Sequence, residues 1–366
     1  MQKPSQSIKS LAAQIASVTE ASSRFSTSFG NDEATQKENI QKTLQSIQKM
    51  DSAFQENGGV FFHAGSDAFE TAKKFTEIHV EQYRNSERPS LPALAAHHAE
   101  EIGLEEDSPM YKAMLLVATR AEMKQAITPE YHSQEHYADV TAVAANLVHE
   151  NNRMLENGEE GGVPLSKEEQ AIVILAAIGH DMDHDGNSNP ADDPYFNEDK
   201  SFTLMVPLLE DAGVEQKDIA KIHTMLLTTS PNGPHSVLKN IAQSTRDNSD
   251  VNWDKVPDSE NHPDLKVLTQ DRNLLEMASI LSDSDLYGSF GAGMDSNVEM
   301  SKLLTNEVQK SGADMDFTTD QAREGALNYL IGEGFTSGAG RKLADPVMKD
   351  MKEQTVQRIA AQKPSV

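Results

Sequence analysis

An all-α fold is expected for this chain on three grounds. Apolar residues recur every three or four positions over most of the chain, no segment alternates apolar and polar residues at strand period, and the breaks fall at Gly, Pro and Ser/Asn/Asp clusters. Ile8, Leu11, Ile15 and Val18 open the pattern, and Ile40, Leu44, Ile47, Met50 and Phe54 repeat it after a Ser/Thr/Gly-rich loop at 22–35. Residues 1–57 therefore read as an amphipathic helical extension packed on the main domain, with a partner-binding or self-associating helix pair as the alternative. From Gly58 the texture changes, and residues 58–366 read as one catalytic domain. Helices are expected over 91–128, 138–154, 166–179, 200–212, 217–228, 271–290, 298–311 and 320–332. The third starts at Ser166 with Glu169 three residues on, the pattern of a capping box. Gly186 and the run NSNPADDP break the chain, so 185–197 is expected as a loop, and so is the polar region 230–268, which holds Trp253. The sequence shows no internal repeat.

Composition closes several functional classes. With 32 Lys+Arg against 58 Asp+Glu, the net charge of −26 repels polyphosphate and anionic lipid surfaces, so neither nucleic acid nor membrane is an expected partner. No apolar run approaches the ~18 residues of a membrane span. MQKPSQSIKS lacks the apolar stretch of a secretory signal, and the expected location is the cytosol. The polar texture suits a bacterial protein, and delivery to a host is the alternative to residence. Cysteine is absent, which removes disulfides, thiolate metal sites and a cysteine nucleophile. Any metal ligands must be His, Asp or Glu, which suits Zn²⁺, Mg²⁺ or Mn²⁺, with iron as a further candidate.

The chemistry concentrates in three places. In YHSQEHYADV, His132 and His136 lie four apart on one helix face, and Asp139 on the same side could accept the second ring N–H of a ligating histidine. In GHDMDHDGNSNP, His180 and Asp181 end an apolar helix and Asp183, His184 and Asp185 follow within a turn; Asp183 and Asp185 read as solvated turn residues. Such a density of ionisable groups after an apolar stripe is costly to bury, and a divalent cation offsets that cost. Asp283 and Asp285 lie in an otherwise apolar helix, where an isolated carboxylate wants a metal or a cation. His97-His98, beside Glu100 and Glu101, reads as a surface pair without a ligand role.

These motifs resemble the HD superfamily of metal-dependent phosphohydrolases, and most closely the catalytic domain of class I cyclic nucleotide phosphodiesterases. That family's Tyr-His-Asn-x-x-His-x-x-Asp-Val is matched by Tyr131, His132, Ser133, His136, Asp139 and Val140, with Ser133 the one mismatch. Its His-Asp-x-x-His-x-Gly-x-x-Asn is matched by His180, Asp181, His184, Gly186 and Asn189, and its Ala-Asp-Leu by Ser284-Asp285-Leu286, a register that favours Asp285 over Asp283. The resemblance implies two divalent metal ions. His136, His180, Asp181 and Asp285 would hold the tighter one, Asp181 would bridge to the second, and His132 would be the general acid. It further implies attack by metal-bound hydroxide on a small phosphate ester. His184, Asn189 and Tyr131 would lie around the waters and phosphate. Asn197-Glu198 with Ser201 resembles an Asn-Glu-x-x-Ser element in which the acid, Glu198, orients a metal water. Thr229 and His235 are weaker matches to a phosphodiesterase helix end.

The departures bear on substrate. The Gln that reads the purine in that family would fall near Thr336, and no Gln lies between Gln321 and Gln354. Phe335 remains as an aromatic wall. A carboxamide cannot be replaced by Thr without losing its hydrogen bonds to base edges. The expectation is a phosphodiesterase acting on a nucleotide or nucleotide-like molecule, with a nucleoside monophosphatase or a non-catalytic binding protein as alternatives.

Overall fold

The computed structural model describes residues 8–22, 24–85, 88–123, 129–190, 192–230, 234–247, 249, 251, 262–312 and 314–362. Among these residues there are helices and no strand. Helices α1 (Ile8–Ala21), α2 (Glu33–Glu56), α3 (Ala68–Phe75), α4 (Leu91–Ile102) and α5 (Pro109–Ala121) come first. They are followed by α6 (Gln134–Glu156), α7 (Lys167–Gly179), α8 (Phe196–Ala212), α9 (Gln216–Leu227) and α10 (Pro234–Asp247). Then come α11 (Arg272–Leu286), α12 (Met294–Lys310), α13 (Asp320–Glu333) and α14 (Gly338–Gln362).

The core forms around α7. Every residue from Ala171 to Gly179 is buried, as expected of a helix that is apolar on all sides, and α4, α5, α6 and α11 pack around it. Its start is the capping box: the Ser166 hydroxyl accepts from Glu169 N, and the Glu169 carboxylate accepts from Ser166 N at 2.9 Å. Its end is a turn through Asp183, whose φ of 59° is unusual for a residue with a Cβ. Arg120, buried on α5, holds that turn by donating from both terminal nitrogens to the Asp183 carboxylate. Asp183 is thus an ion-paired residue rather than a solvated one. Asp185 is exposed and accepts from Asn187 N at 3.0 Å.

The N-terminal helices are tied to this body. Leu11 and Ile15 of α1 are buried in the core, and Gln14 accepts from the Tyr111 hydroxyl of α5 at 3.0 Å. The loop after α1 is anchored by buried Phe25 and Phe29, and Arg120 Nε donates to Ser28 O at 2.8 Å. A groove of about 740 Å³ lies between α1 and α2, lined by Leu11, Ile15, Ile40, Leu44 and Ile47 among others.

Three stretches differ from the sequence expectation. The region 91–128 splits into α4 and α5, because Gly103 adopts φ 78° and ends α4. The polar region 230–268 contains α10, which buries Val237, Leu238, Ile241 and Ala242; flanking prolines and glycines hid this short apolar stripe. Finally, α14 runs through Pro346 over a segment not among the expected helices. Trp253 lies outside the described residues, as does the side chain of His235.

Candidate metal-dependent active site

Three helices converge on one point. His136 stands in the first turn of α6, His180 and Asp181 follow the end of α7, and Asp285 lies in the last turn of α11. Asp181 Oδ2 is 3.1 Å from His180 Nε2 and 3.3 Å from His136 Nε2, and Asp285 Oδ1 is 3.4 Å from His136 Nε2. His136, His180 and Asp285 offer ligand atoms within 4.8 Å of one another. The tautomer of His180 is set by Nδ1, which donates to Ala177 O at 2.8 Å and turns the Nε2 lone pair to the cluster.

A divalent cation fits this donor set. Both Nε2 atoms are buried and make no hydrogen bond. A buried orphan of this kind costs about 1–3 kcal/mol, which ligation would recover. With protein groups alone, burial opposes a charge on His136, yet Asp181 and Asp285 outweigh it and push its pKa up to about 10. His180 is likewise raised by Asp181 against the effect of burial. The imidazoles take the place of positive charge that the carboxylates demand.

His132 sits beside this cluster, its Nε2 4.0 Å from Asp181 Oδ2. Its Nδ1 is hydrogen-bonded to Glu307 Oε1 of α12. Glu307 Oε2 also accepts from Tyr131 N at 2.7 Å and His132 N at 3.1 Å. Burial raises the Glu307 carboxyl, but His132 and the two backbone N–H groups outweigh it and hold the group below the usual glutamate range. Gly186, at φ 82°, lets the chain pass Glu307 closely: a Cβ there would lie 3.1 Å from Glu307 Cγ. Nothing in the sequence around Glu307 marks it, since it is one acid among many on a surface-type helix. His184 stacks on His132 with ring centroids 3.9 Å apart. Burial and neighbouring His132 lower its pKa to about 4, so it is a neutral imidazole. It accepts from Gly186 N at 3.0 Å and meets the Asn197 amide at 3.1 Å.

The remaining predicted residues are placed as follows. Glu198 is buried at the start of α8 and its pKa is pushed up to about 8 by desolvation. Asn189 donates to Glu198 at 2.9 Å and to Pro194 O at 2.8 Å, and accepts from Asn197 N, so its amide braces this loop. Tyr131 is buried with its hydroxyl bonded to Ser289. Thr229 bonds the Leu226 carbonyl.

Asp139 departs from expectation. Its carboxylate goes to His79 Nδ1 at 2.7 Å and to Arg84 at 3.3 Å, and supports no ligating histidine. Three residues along a helix rotate a side chain by about 60° from its neighbour, which here aims Asp139 at the Thr76–Gln82 turn. Phe335 is packed in the core near Tyr287 rather than standing as an open wall.

Asp283 and Asp285 part company because two residues along a helix turn a side chain by about 200°. Asp283 is fully buried and accepts from Thr336 N, Thr336 Oγ1, Ser337 N and Ser337 Oγ, all at 2.6–2.9 Å. It anchors the segment before α14 and faces away from the histidines. The Thr336 hydroxyl is spent on this anchor.

Comparison with known proteins agrees with this geometry. The sequence pattern of the 3'5'-cyclic nucleotide phosphodiesterase family matches residues 131–192, the segment holding both His motifs. The structure is similar to the phosphodiesterase domain of Salpingoeca rosetta rhodopsin phosphodiesterase, at 15% identity and TM-score 0.50, covering 84% of this chain and 95% of that one. It is also similar to yeast caPDE2, at 12% identity and TM-score 0.51, covering 95% of this chain and 81% of that one. No curated protein matches the sequence significantly. The fold is therefore that of a phosphodiesterase catalytic domain. Together with the matched motif segment, the fold supports a class I cyclic nucleotide phosphodiesterase-like, HD-type domain. That family implies dependence on divalent metal.

Proposed function

We propose that this protein hydrolyses the phosphodiester of a nucleotide or nucleotide-like small molecule, cyclic nucleotides being the first candidates. The observation that carries the reading is the pair of buried, unpartnered Nε2 atoms of His136 and His180 facing Asp181 and Asp285, with His132 alongside. His136, His180, Asp181 and Asp285 would hold one divalent ion, and Asp181 would be shared with a second. When bound, such ions supply Lewis acidity to phosphoryl oxygens and lower the pKa of water toward neutrality.

The chain's own residues do the rest. Glu307 accepts from His132 Nδ1, so Nε2 is the atom that faces the cluster, and it carries a proton to give when the ring is an imidazolium. A water oxygen forms the new P–O bond and the bond to the leaving oxygen breaks; the imidazolium of His132 gives that oxygen its proton from Nε2, and the proton released by the water restores the imidazolium. General acids of this kind contribute about 10²–10⁴-fold. Neutral His184, stacked behind His132, keeps the ring in place without competing for the proton. Glu198, with Asn189 beside it, would orient water on the far side of Asp181.

The test is direct. Purified protein is analysed for bound metal, then assayed on a chromogenic bis-ester, a chromogenic mono-ester, cyclic AMP and cyclic GMP with Mn²⁺, with His180→Ala and Asp285→Ala as controls. Metal-dependent turnover of the diesters, lost in both controls, supports the reading. Turnover of the mono-ester alone points to a phosphomonoesterase, and absence of both metal and turnover to a binding protein.

A further inference from the structure

A second cluster of histidines lies away from the active site. Glu101, in the last turn of α4, is approached by four imidazoles. His97 Nε2 and His149 Nε2 are each 3.5 Å from Oε2, His98 Nδ1 is 3.0 Å from the same oxygen, and His63 Nδ1 is 3.8 Å from Oε1. His63, His97 and Glu101 present ligand atoms that all lie within 4.8 Å of one another. The group is distinct from the catalytic cluster: His149 and His136 share α6 but stand about 20 Å apart along its axis at 1.5 Å per residue.

The sequence alone suggests a solvated His97-His98 pair, and the structure overturns that. His98 is buried, and His97 is stacked flat on Phe61 with ring centroids 3.9 Å apart. His97 Nε2 is buried, makes no hydrogen bond and is aimed at the Glu101 carboxylate. Among the described residues, the ion-pair partners of Glu101 are all imidazoles, which balance a carboxylate only when protonated. Burial works against protonation of His97 and His98. A divalent cation resolves the conflict by letting the imidazoles stay neutral while the carboxylate is neutralised.

We propose that His63, His97 and Glu101 form a second, structural divalent-metal site of the zinc type, flanked by His149. Ligand bonds of about 2.0–2.1 Å in a tetrahedron place donor atoms roughly 3.3 Å apart, close to the 3.5 Å between His97 Nε2 and Glu101 Oε2. Two imidazole nitrogens and a carboxylate oxygen, with no thiolate, suit Zn²⁺. His98 Nδ1 holds the Glu101 carboxylate and orients it, as supporting partners of metal ligands do.

The ligands and the flanking histidine come from three parts of the chain. His97 and Glu101 belong to α4, His149 to α6, and His63 to the segment between α2 and α3. The ion would therefore fasten the segment that joins the N-terminal helices to the catalytic body. That segment is otherwise held by buried Phe62 and by Ala64 N donating to Asn146 Oδ1 at 2.5 Å.

The site stands independently of the phosphodiesterase reading and is tested without an activity assay. The full chain carrying His180→Ala is stripped by chelation, then titrated with Zn²⁺ in competition with a chromogenic chelator. One equivalent of tight binding is expected to remain. Adding His63→Ala and His149→Ala should weaken it by about 100-fold or more. Both histidines are about half exposed (53% and 52%), so their removal spares the core. Co²⁺ in place of Zn²⁺ should give the visible bands of a tetrahedral site in the first protein and not in the second. Zn²⁺ should also slow proteolysis near residue 63 only while these histidines are present. Equal Zn²⁺ binding by the two proteins, or none by either, would overturn the proposal.

Discussion

Glu307 reaches from α12 to the imidazole of His132 and to the backbone N–H groups of Tyr131 and His132, so one carboxylate fixes both the position and the tautomer of that histidine. The two residues are 175 positions apart, and no local motif links them. Glu307→Gln keeps an acceptor for the backbone but weakens the hold on Nδ1. We expect kcat to fall by about 10- to 100-fold, the usual effect of losing such a partner. Metal content, measured by elemental analysis, should be unchanged. A variant with full activity would show that His132 needs no orientation.

The two aspartates of α11 should fail in different ways. Asp285→Ala should fold normally and lose bound metal, because its carboxylate faces His136. Asp283→Ala should retain metal and be less stable by on the order of 2–4 kcal/mol, since it strands buried donors of Thr336 and Ser337. Urea unfolding and metal analysis on both variants decide it. Loss of metal from Asp283→Ala alone would exchange their roles.

Breaking the Arg120–Asp183 pair should affect both stability and the site. Asp183→Ala leaves a guanidinium buried without its partner, which typically costs about 3–5 kcal/mol. It also frees the turn that carries Asp181 and His184, so metal affinity should drop although no ligand is altered. A thermal melt and a metal titration on the same preparation would show whether the two losses occur together.

Asp51 gives a pH dependence of definite sign. It accepts from Ser90 N at 2.9 Å and from Ser90 Oγ at 3.0 Å, and burial raises its pKa from 3.8 to about 6 despite those bonds. A raised carboxyl contributes stability that is full below its unfolded pKa and is lost as pH rises through the folded value. Asp51→Asn can keep both contacts without a charge. Its stability relative to wild type should therefore rise by on the order of 1–3 kcal/mol between pH 4 and pH 7 and then level off. A gap that stays flat across that range would contradict the assignment.

Metal removal should abolish turnover. An anionic ester meets a chain of net charge −26, and Asp181 and Asp285 add to the repulsion at the site itself. Exhaustive chelation should leave almost no activity, and Mn²⁺, Mg²⁺ or Zn²⁺ should restore it. Full turnover of the stripped protein would refute the metal-dependent reading.

The all-α class, the capped start of α7, and the His and Asp residues at its far end are legible in the amino-acid sequence. These are local properties: helical period, a box of two residues, and ligand types at fixed spacing on one turn. The absence of cysteine likewise restricts the ligand chemistry to His, Asp and Glu. Contacts between distant segments settle the rest. Packing places Glu307 behind His132, turns Asp139 to His79 and Arg84, and decides that Asp285 meets His136 while Asp283 meets Thr336 and Ser337. It also draws His63 and His149 to the His97–Glu101 pair, which the sequence shows only as neighbours in a charged run. The reason is the same in each case. A helix fixes the direction of a side chain relative to its own axis, and only the packing of helices determines what that side chain meets.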